Sequence, residues 1–165
     1  MDEISLKRKC KNILFFISFC IGIFYNVSLA QNQDFIDINA NVMEMQDDKK
    51  LIIFTGDVVA KKQNVNLYCE KLNVYYTEDT KTKKRDVDYM IAEGKVKIVQ
   101  FDKVATGDTA KYFKNEDLIV LEGKPAIIRE GNDNEIRGNK VTFYVKENKS
   151  IVEGNRPKVI FRLGD

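Results

Sequence analysis

The sequence has no histidine, no tryptophan, two prolines and three cysteines in 165 residues. Without histidine the chain lacks the commonest general base near neutral pH, the usual zinc or copper ligand and the base of a hydrolytic triad. Two of the cysteines, Cys10 and Cys20, lie in the first 30 residues. Cys69 then has no partner for a disulfide within the remaining chain, and stability must come from packing and backbone pairing. Long apolar runs are also scarce. The one present, Ile13 to Tyr25, is about 13 residues, short of the roughly 20 that span a bilayer as a helix.

That run sits in an export-like context. Lys7, Arg8, Lys9 and Lys11 precede it, and Ser28-Leu29-Ala30 follows with small residues where signal peptidase accepts them. The expectation is a cleavable signal peptide over residues 1–30, with cleavage before Gln31, and one domain over 31–165. Phe19 ahead of Cys20 fits a lipoprotein site poorly. The leader holds four of the 27 basic residues and two of the 25 acidic ones. Its removal therefore leaves equal numbers of each sign, and electrostatics give no reason to expect nucleic acid as a partner. A cluster of Lys81, Lys83, Lys84 and Arg85 lies in a Thr/Asp-rich connection and reads as a solvated loop.

No window of the domain sustains a 3.6-residue apolar period, whereas two-residue alternation returns repeatedly. Around Cys69 to Leu72 the alternation changes phase, the mark of a bulge or corner inside a strand. Glycines recur with the same flanks: "LIIFTGDVVA", "YMIAEGKVKIV", "LIVLEGKPAII" and "SIVEGNRPKVI". Three residues before each glycine stand Ile53, Ile91, Val120 and Ile151, and two after stand Val58, Val96 and Pro125. A second unit, "INANVMEM", "LYCEKLNVYY", "ATGDTAKYF" and "IRGNKVTFYV", carries a small-residue column of Ala40, Cys69, Gly107 and Gly138. Three residues on from these come Met43, Leu72, Ala110 and Val141.

This self-similarity with loops of variable length predicts stacked rungs, each of two strands with a corner at the glycine, building two facing sheets. The shared apolar columns imply a common buried side. Turns are expected at Gln46 to Lys49, Lys114 to Asp117 and Lys146 to Lys149, where Asp and Asn favour reversal.

Candidate chemistry is thin. Cys69 occupies the small-residue column and reads as a buried thiol rather than a nucleophile. "EGNDNE", Glu130 to Glu135, has closely spaced oxygen ligands but not the spacing of a calcium loop. The Gly-Lys and Gly-Asp pairs lack the following helix that a phosphate loop needs. The chain is expected to be neither an enzyme nor dependent on a cofactor or metal. What remains is a strand surface with two ends. Ile36 and Ile38 begin the first rung and Val159, Ile160, Phe161 and Leu163 close the last. Unpaired strand edges invite pairing, so head-to-tail self-association is expected.

In order and phase, "INANVMEM", "LIIFTGDVVA", "LYCEKLNVYY", "MIAEGKVKIV", "ATGDTAKYF", "LEGKPAII" and "IRGNKVTFYV" resemble the OstA-like family of periplasmic lipopolysaccharide-transport proteins, from about Ile36 to Phe161. The resemblance implies an all-β, twisted two-sheet β-jellyroll, open along one edge, whose apolar interior shields the acyl chains of lipopolysaccharide in the periplasm. It implies partners too: LptC at the inner membrane, LptD at the outer, and further copies end to end. Carried onto this sequence, the lipid-binding lining would be Ile36, Ile38, Ile53, Val58, Ala60, Leu67, Leu72, Val74, Ile91, Val96, Ile98, Ala110, Tyr112, Val120, Ile127, Val141, Phe143 and Ile151, with Lys61, Lys62 and Lys95 meeting lipid phosphates at a rim. Two alternatives stay open at this point. One is an LptC-like component of the same fold that keeps its N-terminal helix as an anchor, and the other is a structural β-assembly protein without lipid cargo.

Overall fold

The computed structural model describes residues 35–161, save 132 and 148; the leader, Cys10, Cys20 and Leu163 lie outside the described residues. Apart from the turns and short connections between them, the described elements are all strands except for one 3-10 turn at Asp47–Lys49. The strands are β1 (Asp37–Asn39), β2 (Val42–Gln46), β3 (Leu51–Lys62), β4 (Val65–Glu78), β5 (Arg85–Gln100), β6 (Lys103–Phe113), β7 (Leu118–Glu130), β8 (Asn134–Tyr144), β9 (Lys149–Glu153) and β10 (Lys158–Ile160). From β3 to β8 each strand pairs antiparallel with the next. At one end β1 and β2 share β3, and at the other β9 and β10 share β8.

Every long pairing skips register near its middle: between Thr55 and Val58, Tyr68 and Lys71, Glu93 and Val96, Thr106 and Thr109, and Glu122 and Ala126. These bulges line up across the sheet and bend each strand, so one hydrogen-bonded sheet folds into two facing halves. One half carries β2, the first part of β3 and the second part of β4; the other carries β1 and the complementary parts. The result is an all-β jellyroll, open along the edge opposite the bulges. The corners fall at the recurring glycines, with β4 turning at Cys69 and Glu70 instead.

The corner glycines are there for two different reasons. Gly56 and Gly94 have φ of +82° and +78°, a conformation that L side chains rarely adopt. Gly107 and Gly123 are required by closeness: a side chain on Gly123 would start 3.0 Å from the Gly107 Cα.

The core fills the space between the halves. It contains Phe54, Leu72, Val74, Ala92, Ala110, Leu121 and Val141 from one half and Val58, Ala60, Cys69, Val96 and Ala126 from the other. The repeat's logic appears in the register. Met43, Phe54, Leu72, Ala92, Ala110, Leu121, Val141 and Val152 stand opposite one another in turn, forming one apolar row from the first edge to the last.

The outer face of the same half-sheet has its own apolar band. Leu51, Tyr75, Tyr89, Phe113, Leu118 and Tyr144 are consecutive cross-strand neighbours. Tyr75 stacks on Tyr89 with centroids 4.2 Å apart, and Tyr89 on Phe113 at 6.1 Å. Burial pushes the Tyr89 hydroxyl above the ordinary tyrosine range, with the neighbouring Tyr75 adding to it.

The basic connection between β4 and β5 is organised rather than loose. Asp79 accepts hydrogen bonds from the Lys81 and Thr82 amides at 3.0 and 2.7 Å. Arg85 pairs with Glu78 and Asp47 at 3.3 and 3.2 Å.

Candidate functional site

Between the half-sheets, on the side away from the bulges, lies a cavity of about 350 Å³, within the range of small-molecule sites. One half contributes Leu72, Met90, Ala92, Ala110, Lys111, Tyr112, Asp117, Ile119, Phe143 and Val145; the other contributes Ile36, Ala60, Lys61, Lys62, Val65, Leu67, Ile98 and Gln100. The lining runs from the alanines beside the bulges to the strand ends at both rims. It is a groove along the open edge.

Its shape follows from alternation. On β4, Leu72 and Val74 face in while Lys71 and Asn73 face out. On β6, Ala110 and Tyr112 face in while Thr109 turns toward the outer face; Lys111, which also borders the cavity, has its amine 3.0 Å from Glu122. Among the charged lining residues, Asp117 meets Lys146 at 2.7 Å. What the walls mainly offer is apolar area, worth roughly 25 cal/mol per Å² covered.

Eight of the sequence-derived lining residues border the cavity: Ile36, Ala60, Leu67, Leu72, Ile98, Ala110, Tyr112 and Phe143. Five more, Ile38, Val58, Val74, Val96 and Val141, belong to the core between the halves. The remaining five do not border the cavity. Ile53, Ile91, Val120 and Ile151 form an outer row with Asn73, Lys111 and Thr142 between them, and Ile127 lies in the outer row with Thr106 and Arg137. Their inward neighbours are the residues one further on: Phe54, Ala92, Leu121, Ile128 and Val152. Pro125 is exposed, and Ala126 fills its slot because the β7 corner holds two extra residues.

Sequence reasoning missed Val65, Met90, Ala92, Ile119 and Val145. Met90, Ala92 and Ile119 were recoverable by counting in twos from Tyr112 and Ala110 across the register. Of the three rim lysines, Lys61 and Lys62 border the cavity. Lys95 does not: it sits at the bulge line with its amine 2.7 Å from Glu70.

Cys69 faces the core at the corner of β4. Burial pushes its thiol up to about 11, against a smaller opposing pull from hydrogen bonds with the Glu93 and Lys71 backbone. That makes it a packed, protonated group.

The two sheet ends carry apolar side chains in the open. Phe35, Val42 and Met43 are exposed at the β1/β2 edge, and Val159, Ile160 and Phe161 at the β10 edge. Of the predicted edge residues, Ile38 pairs with Ala60 and Val159 with Ile136, each on a terminal strand, while Ile36 turns into the groove.

Three similarities bear on this arrangement. The family profile described as LptA/(LptD N-terminal domain) LPS transport protein matches residues 37–149. An uncharacterized protein of Rhizobium meliloti (strain 1021) is 26% identical over 105 residues, covering 62% of this chain and 56% of that protein. The chain thus spans about half the length of this curated relative. A crystal structure of LptH, the LptA-homologous periplasmic component of the lipopolysaccharide transport device of Pseudomonas aeruginosa, superposes with a TM-score of 0.66 at 16% identity. It covers 79% of this chain and 96% of that one, a likeness of fold.

Proposed function

The chain belongs to the family of LptA and LptD N-terminal-domain lipopolysaccharide-transport proteins, and from that premise we propose that it binds lipopolysaccharide in the periplasm and shields its acyl chains on the way from inner to outer membrane. The observation that carries this reading is the groove: an apolar cavity of about 350 Å³ between half-sheets whose inward rows continue from one sheet end to the other. An acyl chain gains roughly 0.8 kcal/mol per methylene that it buries. Such a surface holds lipid by length of contact and needs no catalytic group or cofactor. Lys61 and Lys62 at the mouth suit the phosphates of the head group.

The proposed partners are LptC at the inner membrane, LptD at the outer, and other copies of this chain. The strand directions favour the last. Because pairing alternates from β2 through to β9, β9 of one copy beside β2 of the next would again be antiparallel, as would β10 beside β1. Such a stack would carry the inward rows across the junction.

Mass spectrometry of lipid retained by the protein when purified from its native envelope tests the cargo. Stoichiometric lipopolysaccharide is expected. Protein recovered without lipid, while still forming end-to-end assemblies, would contradict the reading and favour a purely structural role.

A further inference from the structure

We propose that Met43 is an oxidant-sensitive modification site on the free β2 edge, where a peroxide converts the thioether to a sulfoxide and thereby blocks the end-to-end junction; the inference rests on the self-association reading above. Three methionines lie among the described residues, and all three face inward on one half-sheet: Met43 opposite Phe54, Met45 opposite Ile52 and Met90 opposite Tyr112. Met43 and Met45 stand on the outermost strand, 60% and 42% exposed, whereas Met90 is half-buried within the sheet. They head neighbouring inward rows. The Met43 row ends at Val152, and the Met45 row, through Ile52, Val74, Met90, Tyr112 and Phe143, ends at Ser150.

A peroxide gives one oxygen atom to an accessible thioether. The O–O bond breaks, an S–O bond forms, sulfur is oxidised by two electrons and the other peroxide oxygen leaves as water. The product is polar and carries a strong hydrogen-bond acceptor. The two edge methionines stand in different surroundings for that acceptor. Met45 Sδ is 3.5 Å from Arg85 Nη1, and the register that sets Val152 of the next copy beside Met43 sets Ser150 beside Met45. A sulfoxide at Met45 thus has a guanidinium and a hydroxyl as donors. At Met43 the cross-strand neighbour is Phe54 and the incoming one is Val152, neither of which has a side-chain donor. Pairing would bury the Met43 sulfoxide without a partner, a cost that the unoxidised thioether does not carry.

The test oxidises about half of the purified parent protein with hydrogen peroxide and separates associated from monomeric fractions by size. Peptide mass spectrometry then reads the sulfoxide at each methionine. Met43 and Met45 should oxidise several-fold faster than Met90. Met43 sulfoxide should be enriched about tenfold in the monomer, the effect of one polar group buried unpaired, and Met45 sulfoxide should divide evenly. Methionine sulfoxide reductase should restore association. Peroxide should weaken association of Met45→Leu as it does the parent's and leave that of Met43→Leu at its untreated value. Even division of Met43 sulfoxide, or enrichment of Met45 sulfoxide instead, would overturn the inference while leaving self-association standing. A melting temperature lowered by oxidation would overturn it too, since the loss would then be one of folding. A parent that is monomeric at every concentration before peroxide would remove the self-association reading and this inference together.

Discussion

Tyr76 donates its phenolic hydrogen to Asp47 Oδ1 at 2.6 Å across 29 residues of sequence, which ties the turn after β2 to the C-terminal end of β4. Arg85 reinforces the tie, with its guanidinium 5.0 Å from the Tyr76 ring centroid and 3.2 Å from the same carboxylate. β2 is mostly exposed and pairs only with β3, so this contact is what secures its far end. Tyr76→Phe should lower the unfolding midpoint and speed amide exchange in Val42 to Gln46 more than in β9. Equal exchange in both edge strands would show that the contact does not hold the edge.

Gly56 stands at the β3 corner with φ +82°, and a side chain there would start 2.7 Å from the Asn41 side-chain nitrogen. Gly56→Ala therefore combines backbone strain with a clash against the β1–β2 connection. A loss of about 1–2 kcal/mol is expected from the backbone alone, read as a lower urea midpoint at constant slope. A midpoint equal to the parent's would mean that the corner tolerates a side chain.

Cys69 gives a pH dependence with a defined sign. Its thiol is raised to about 11 by burial, above the ordinary value of 9.0, so between these values the folded chain holds a proton that the unfolded chain has released. The contribution is fully present below about pH 9 and is lost as pH rises toward 11. Cys69→Ala should lose less stability than the parent across that window in parallel urea titrations. Alkylation of the parent near neutral pH should be slow until the protein unfolds; rapid alkylation of the folded protein would show that the thiol is accessible.

End-to-end pairing in register would bring Val152 of one copy beside Met43 of the next, since these residues end the same inward row. A protein carrying Met43→Cys and Val152→Cys should form ladders of cross-linked multimers under mild oxidation, and either single variant should not. Light scattering that finds only monomer at all concentrations would contradict self-association through these edges.

The sequence disclosed the strands, the corners and the repeat, because alternation and recurring glycines are local signals. In its second repeat column, Cys69 and Leu72, Gly107 and Ala110, and Gly138 and Val141 are inward or in the corner, three residues apart across a bulge, whereas Met43 of the Ala40 and Met43 pair is exposed on the edge strand. The first column was misphased by one residue. Ile53, Ile91, Val120 and Ile151 are uniformly β-branched and look like core, yet the inward positions are the less uniform Phe54, Ala92, Leu121 and Val152. The outer face could mislead because it is apolar in its own right, backed by the Tyr75, Tyr89 and Phe113 band. Facing direction across a bulge depends on how many residues the corner holds, and that number varies from strand to strand. Composition alone does not fix it.

Neighbouring residues on opposite faces of one half-sheet distinguish lipid held in the groove from lipid on the outer surface. A photo-cross-linking amino acid placed at Tyr112 or Phe143, both bordering the cavity, should capture lipopolysaccharide in cells. The same probe at Val120 or Ile91, on the outer face of the same half-sheet, should capture none. Adducts from the outer positions with none from Tyr112 and Phe143 would contradict the account.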